Sequence, residues 1–264
     1  MSTNKYSAPA AACAADLLNV LARSEEPLSL AEIARRLNRS KSLVFRVAKE
    51  LETRDFIRES GEGRFWLGIE TLELGGSYIS QSDYTEAARS VLQKLSHETG
   101  ETVNLGTLRG AEVLYLEKWE GANSVVTVSH VGKRIPANCT AMGKALLARL
   151  SDEEVAERFG DSYPMLTAAS LGSYQALVKE LAATRERGYA LDLGETLDGR
   201  ACVAIALESP LAGADEGVAV SISMTSRRFE ADANELVNRL TDAGHRLDNE
   251  WQKRLVMTGS AASR

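Results

Sequence analysis

Six basic residues and no acidic residue lie between Arg35 and Lys49, within a stretch whose apolar residues recur at helical spacing. The apolar positions share one face of a helix that we predict from about residue 40 to residue 54: Leu43, Val44, Val47 and Leu51. The whole chain carries a formal net charge of −6, so this positive charge is local. A helix with one buried face and one basic face is suited to lie against phosphates.

Two helices precede this one, and a β-hairpin follows it. Residues 9–23 carry an apolar stripe at helical spacing, and Ser29 with Glu32 forms a capping box at the start of a short helix over 30–37. Residues 56–67 are typical of two short strands around a glycine turn. Three helices followed by a hairpin predict a winged helix-turn-helix.

In such a module the third helix enters the major groove of DNA, and its N-terminal residues contact base edges. The residues expected to face bases are Ser40, Lys41, Ser42 and Phe45. Those expected to hold phosphates are Arg35, Arg36, Arg46 and the wing residue Arg64, with Arg39 on the same basic surface. Two alternatives stay open. The basic run can be an ordinary solvated helix face, and Phe45 can belong to the core, as aromatic residues at helical spacing usually do.

The pattern beyond the hairpin predicts a linker helix over 69–80, with a soft point at Gly75-Gly76, and then a second domain. Period-two runs predict strands at 102–108, 113–119, 124–131, 202–207 and 217–224. Helices are predicted at 83–99, 141–150, from 151 onward, 173–187 and 230–256. These elements indicate an α+β fold around an antiparallel sheet, and a sheet packed by helices on one face can leave a pocket on the other.

Several classes of protein are not indicated. The three cysteines and three histidines are scattered without metal-ligand spacing, and no glycine-rich phosphate loop occurs, so we expect neither a metal nor a cofactor. No window approaches the ~18 to 20 apolar residues that a membrane span needs. Without a secretory signal pattern, the expected location is the cytoplasm, where thiols stay reduced.

The order of parts resembles the IclR family of bacterial transcriptional regulators across nearly the whole chain. The matching stretches are residues 29–37, Lys41-Ser42 with Arg46, 64–68, 100–103, Pro136, 143–146, 187–189 and 221–223. The resemblance implies a winged helix-turn-helix domain at 1–68 and a linker helix at 69–82. It further implies a GAF-like domain for effector binding and oligomerisation at 83–257, followed by a tail, 258–264, that we expect to be disordered.

The resemblance also implies function. Members act as homodimers or dimers of dimers, bind palindromic operators as repressors or activators, and respond to small organic molecules, often carboxylates. Carried over by position, the effector pocket is lined by Ile135, Ala141, Met142, Asp192, Cys202, Ser221 and Ser223. The two serines also alternate on one face of a predicted strand. Arg200 stands one residue before the family's usual arginine. It either points its guanidinium into the pocket, where it would suit a carboxylate, or lies at the surface or a helix cap.

An enzyme is the competing interpretation. Cys139 or Cys202 could act as a nucleophile, with a histidine as base and Asp192 as its orienting group. No sequence signature pairs these residues, and each cysteine is more simply a small buried or pocket-wall residue. A third interpretation, an architectural DNA-binding protein without a ligand, leaves the second domain unexplained.

Overall fold

The computed structural model describes residues 8–80, 83–124, 129–208 and 217–261. The chain divides into two compact units, Met1–Ser82 and Asp83–Arg264. Within the described ranges, no helix is both long enough and apolar enough to cross a membrane.

The N-terminal unit is a winged helix-turn-helix, as predicted. Its elements are α1 (Pro9–Ala22), β1 (Leu28–Ser29), α2 (Leu30–Leu37), α3 (Lys41–Thr53), β2 (Ile57–Glu59), β3 (Arg64–Leu67) and α4 (Ile69–Ser80). The wing is an antiparallel sheet in the order β1-β3-β2, so the short strand β1 adds a third strand to the predicted hairpin.

Local signals in the chain fix the angle at which α3 follows α2. The predicted capping box is present: the Ser29 hydroxyl accepts from the Glu32 amide, and the Glu32 carboxylate accepts from the Ser29 amide. Helix α2 ends at Asn38 in the left-handed conformation (φ 50°), which asparagine tolerates better than most residues. The chain changes direction at Asn38, and Val44 and Val47 of α3 then pack with Ile33 of α2 in one apolar core.

The C-terminal unit is built around a six-stranded antiparallel sheet in the order β6-β5-β4-β9-β8-β7. The elements are α5 (Asp83–Thr99), β4 (Thr102–Arg109), β5 (Glu112–Trp119), β6 (Arg134–Pro136), a 3-10 turn (Ala137–Cys139), α6 (Ala141–Leu147), α7 (Asp152–Phe159), α8 (Tyr174–Arg187), β7 (Ala190–Leu193), β8 (Arg200–Ala206), β9 (Val218–Thr225) and α9 (Ser226–Ala261). The predicted α+β class is confirmed.

Alternation along the strands divides the sheet into two faces. Val203 of β8 and Ile222 of β9 pack into a core with α5 and α9. The residues that alternate with these along each strand face a second core, which is formed with α6, α7 and α8. Ala204 of β8 and Ala219 of β9 belong to this second core. Helices therefore cover both faces of the sheet. The open space lies beside α6.

Several parts of the structure differ from the sequence prediction. Helix α4 runs through Gly75 and Gly76 without interruption. Residues 125–128 of the strand predicted at 124–131 lie outside the described residues, and the edge of the sheet is formed by β6 instead. Strand β7 went unpredicted because its four residues, Ala190–Leu193, are too few to show a period.

The last helix is longer than predicted at both ends. Helix α9 begins at Ser226, directly after β9, and is kinked at Asp232, whose φ of −135° is not helical. It continues to Ala261, where the sequence predicted a disordered tail from residue 258. Residues 262–264 lie outside the described part of the chain.

Candidate functional site

The basic residues of α2, α3 and the turn between them are all exposed, and we call them the basic surface: Arg35, Arg36, Arg39, Lys41, Arg46 and Lys49. Lys49 lies 2.7 Å from the Glu52 carboxylate, and Arg39 lies 3.9 Å from that of Asp16. The other four form no ion pair in the part of the chain that the structure describes. Positive charge that no ion pair neutralises is available to an external anion.

The start of α3 carries the residues expected to face bases. Ser40 is the N-cap, and its hydroxyl accepts from the Leu43 amide at 3.4 Å. Lys41 and Ser42 follow in the first turn, and both are exposed. Ser40 therefore has a structural task in addition to the predicted contact, whereas Lys41 and Ser42 point outward.

Phe45 belongs to the exposed face of α3. Its side chain is 52% exposed, while its neighbours Val44 and Val47 are buried at 0% and 7%. The alternative that Phe45 packs in the core is therefore wrong.

Arg64 of the wing is bonded to other parts of the N-terminal unit. Its Nη1 donates to the Pro27 carbonyl at 2.7 Å and lies 3.3 Å from Glu32 Oε2. The arginine thus joins β3 to the loop before β1 and to the cap of α2. Hydrogen bonds from Ser29, with Arg64 nearby, hold the pKa of Glu32 below its ordinary value. The guanidinium was predicted to hold a phosphate, and the structure shows that it also has partners within the protein.

A cleft of about 450 Å³, its open mouth included, lies between α6 and the sheet of the C-terminal unit. Its floor follows from strand register: Asp192 of β7 is opposite Cys202 of β8, and Cys202 is opposite Ser223 of β9. In the next row Ser221 is opposite Asn104 of β4. Polar residues that alternate with core residues thus come together on one face of four strands.

Seven of the residues predicted for the effector pocket line this cleft: Ala141, Met142, Asp192, Arg200, Cys202, Ser221 and Ser223. Arg200 begins β8 and is only 8% exposed, so it is neither a surface arginine nor a helix cap. Ile135 is not among the lining residues. Ile135 lies on the edge strand β6, opposite Val113 of β5, and its side chain packs into the apolar core with α6.

Six further lining residues escaped the sequence analysis: Asn104, Tyr115, Ser129, Thr140, Thr196 and Leu197. Asn104 carried a usable signal, because it is a polar residue between the buried apolar residues Val103 and Leu105. Thr196 and Leu197 carried none, since they reach the cleft from a loop.

That loop is held by the carboxylate of Asp192. Its Oδ1 accepts from the amides of Glu195 at 2.7 Å and Thr196 at 3.3 Å. The Thr196 hydroxyl donates to the Cys139 carbonyl at 2.8 Å, which fixes the loop to the 3-10 turn. Burial raises the pKa of Asp192 above its ordinary value, against the opposing effect of these hydrogen bonds.

Two adjacent residues set the position of α6. A Cβ on Gly143 would lie 2.2 Å from the Ala137 carbonyl oxygen, so only glycine permits this approach of α6 to the 3-10 turn. Lys144 is 1% exposed and forms an ion pair with Glu195. Burial raises the pKa of Glu195 to about 7. The pair joins α6 to the loop that Asp192 holds.

The cysteines lack the surroundings of a nucleophile. Burial raises the pKa of Cys202 to about 12 and that of Cys139 above its ordinary value. The Cys202 thiol donates to Ser223 Oγ, and the Cys139 thiol donates to the Pro164 carbonyl, each at 3.3 Å. A thiolate, the reactive form, is disfavoured at both positions.

Comparison with known proteins gives matches over both units. The family model for the bacterial transcriptional regulator IclR C-terminal domain matches residues 76–249, and that for the IclR helix-turn-helix domain matches residues 10–61. The HTH-type transcriptional regulator XynR of Escherichia coli (strain K12) is 34% identical, with 85% of this chain and 88% of XynR aligned.

Two further matches agree with these. The HTH-type transcriptional regulator BhcR of Paracoccus denitrificans (strain Pd 1222) is 32% identical over 89% of this chain and 84% of BhcR. The crystal structure of an IclR transcriptional regulator from Alicyclobacillus acidocaldarius has a TM-score of 0.78 at 26% identity, covering 93% of this chain and 99% of that one. The chain therefore belongs to the IclR family of bacterial transcriptional regulators, which bind DNA through the helix-turn-helix and respond to small-molecule effectors.

Proposed function

We propose that this regulator senses a small organic carboxylate in the cleft beside α6 and, without a catalytic step, changes its affinity for a palindromic operator held by the basic surface. The observation that carries the proposal is Arg200, a buried guanidinium that lines the cleft together with hydroxyl groups. A buried cation next to open space favours an anionic ligand, because the low local dielectric strengthens its attraction for opposite charge.

The other lining groups suit a carboxylate with an organic body. Ser221 and Ser223 offer hydroxyls on the same face as Arg200, and Ala141 and Met142 supply apolar surface opposite them. A planar guanidinium can hold a carboxylate through two parallel hydrogen bonds, which fixes its orientation.

On the DNA side, we assign two kinds of contact to the basic surface. Arg35, Arg36 and Arg46 bind phosphates, and Lys41 and Ser42 contact base edges from the first turn of α3. The assignment follows from their exposure and from the placement of a recognition helix in the major groove.

A palindromic operator requires two copies of the chain, and we propose that α4 joins them. Four apolar side chains of this helix are more than half exposed: Ile69, Leu72, Leu74 and Tyr78. None of its residues is buried in the single chain. Ile69 and Leu72 lie on one side of the helix, and Leu74 and Tyr78 lie on another. A second copy that packs along α4 would remove apolar side chains from water.

A thermal-shift screen of organic acids tests the effector site. A carboxylate at about 100 times its dissociation constant should stabilise the protein by about 2.7 kcal/mol. Arg200→Met should abolish this shift, while Arg109→Met, which replaces an exposed arginine at the end of β4, should retain it. An equal shift in wild type and Arg200→Met would contradict the assignment, as would an unchanged response of the Ser221→Ala/Ser223→Ala variant.

Operator binding measured against salt concentration tests the basic surface. The logarithm of the affinity should fall linearly with the logarithm of salt, and Arg46→Ala should reduce the slope by about 1. Arg246→Ala, at an exposed position of α9, is the matched control and should leave the slope unchanged. A slope near zero for the wild type would refute the phosphate contacts.

A further inference from the structure

Phe45 is an apolar side chain in a basic setting. Its ring is 52% exposed on the outward face of α3. Ser42 and Lys41 lie three and four residues before it, and Lys49 lies four residues after it, all exposed on the same side of the helix. The buried residues of α3 are Val44, Val47, Ala48 and Leu51, so the ring adds nothing to the core.

These surroundings restrict what can cover the ring. A purely apolar partner would leave the neighbouring lysines and arginines without counter-charge in a dry interface, which is costly. The partner must therefore be anionic and must also present an apolar group at the depth that α3 reaches. In the major groove the C5-methyl group of thymine meets both conditions, since it is the apolar group of the base edges and lies between two rows of phosphates.

We infer that Phe45 is a specificity-determining residue that contacts the 5-methyl group of a thymine in each operator half-site. This inference rests on the proposed placement of α3 in the major groove. Because Phe45 is one turn beyond Lys41 and Ser42 on the same face, its thymine lies next to the bases that those residues contact.

The test begins with operators that the full-length wild-type chain selects from random duplex DNA. In a selected operator, each thymine of a half-site is replaced in turn by deoxyuridine, which removes only the methyl group. At one position per half-site, we expect the wild type to lose about three- to fivefold in affinity, the effect of one buried methyl group. Phe45→Ala should bind the thymine operator more weakly and should show no loss at that position.

Two variants separate the methyl contact from other effects. Phe45→Leu keeps an apolar side chain and should keep part of the preference for thymine. Arg46→Ala should weaken binding to both operators by the same factor, because a phosphate contact does not distinguish the bases. Since Phe45 is exposed, Phe45→Ala should leave the thermal midpoint unchanged, so a loss of binding cannot be attributed to unfolding.

The possible failures differ in what they overturn. If operators are selected and binding depends on salt, but deoxyuridine has no effect or the same effect in Phe45→Ala, the Phe45 inference alone is wrong. The same holds if the selected half-sites carry no thymine, or if the ring proves to be a wedge between minor-groove base steps. If no operator is selected at any salt concentration, the proposed DNA-binding placement fails as well.

Discussion

At the scale of single residues, Gly143 is a position of the C-terminal unit that has no room for a side chain. The turn that it approaches cannot readily move, because Asn138 Nδ2 donates to the carbonyls of Pro164 at 2.8 Å and Leu171 at 3.0 Å. We expect Gly143→Ala to lower the free energy of unfolding by about 1 to 3 kcal/mol, the usual cost of overpacking. Urea denaturation checks this. The control, Gly76→Ala, adds its methyl group to open space on α4 and should stabilise that helix by up to about 1 kcal/mol. Effects of the same sign would contradict the explanation.

Glu195 gives the C-terminal unit a pH dependence whose sign follows from burial. Its pKa is about 7 in the folded chain, against an ordinary value of 4.5. As the pH rises from about 4.5 to about 7, the unfolded chain gives up this proton first, so the free energy of unfolding should fall. The contribution is fully present below the lower pKa and is lost as the pH passes the higher one.

The comparison is with Glu195→Gln, measured by urea denaturation at about pH 5 and at about pH 8. The variant, whose side chain resembles the neutral carboxyl at both pH values, should lack this fall. An identical decrease in both proteins would assign the pH dependence to other groups.

At the scale of elements, the wing and α2 act as one piece through Arg64. We expect Arg64→Ala to destabilise the N-terminal unit by about 1 kcal/mol, since one guanidinium nitrogen serves both a carbonyl and a carboxylate. It should also change the salt slope of operator binding less than Arg46→Ala does. Arg58→Ala, at an exposed position on β2, should leave the stability unchanged. A slope change in Arg64→Ala equal to that of Arg46→Ala would return Arg64 to the phosphate-binding set.

Elements defined by local signals could be predicted from the sequence, and elements defined by distant contacts could not. The capping box at Ser29 and the period of α3 are local, so the helix-turn-helix was predicted correctly. The alternation of Ser221 and Ser223 is local as well, and the structure places both in the cleft. The prediction that Ile135 lines the cleft was wrong, because the orientation of this residue depends on the pairing of β6 with β5. Thr196 was not predicted, because a hydrogen-bonded turn brings it to the cleft.

At the scale of the whole molecule, the proposal couples two binding events, and thermodynamics makes the coupling reciprocal. If a carboxylate lowers operator affinity by a given factor, the operator must lower carboxylate affinity by the same factor. Titrations of each ligand in the presence and absence of the other check this equality. Arg200→Met should remove both effects while leaving operator affinity without effector unchanged. A variant that still responds to the carboxylate would place the sensing site elsewhere.

The oligomeric state also belongs to this scale. We expect Leu72→Glu, which puts a charge beside Ile69 on an exposed side of α4, to shift the chain toward monomers in sedimentation and to weaken operator binding. Glu73→Gln, on the same helix, is the control and should leave the assembly intact. Unchanged sedimentation of Leu72→Glu would show that copies meet through another surface.

The strict alternation along β8 and β9 limits how this sensor can change over evolution or in the laboratory. Cys202, Ser221 and Ser223 face the cleft, whereas Val203 and Ile222 support α5 and α9. Inserting or deleting one residue in either strand would exchange the two sets and put hydroxyls into the core. A point substitution leaves each residue on the same face of its strand. A sensor for a different metabolite is therefore most accessible through replacements at every second position, with the scaffold behind them left untouched.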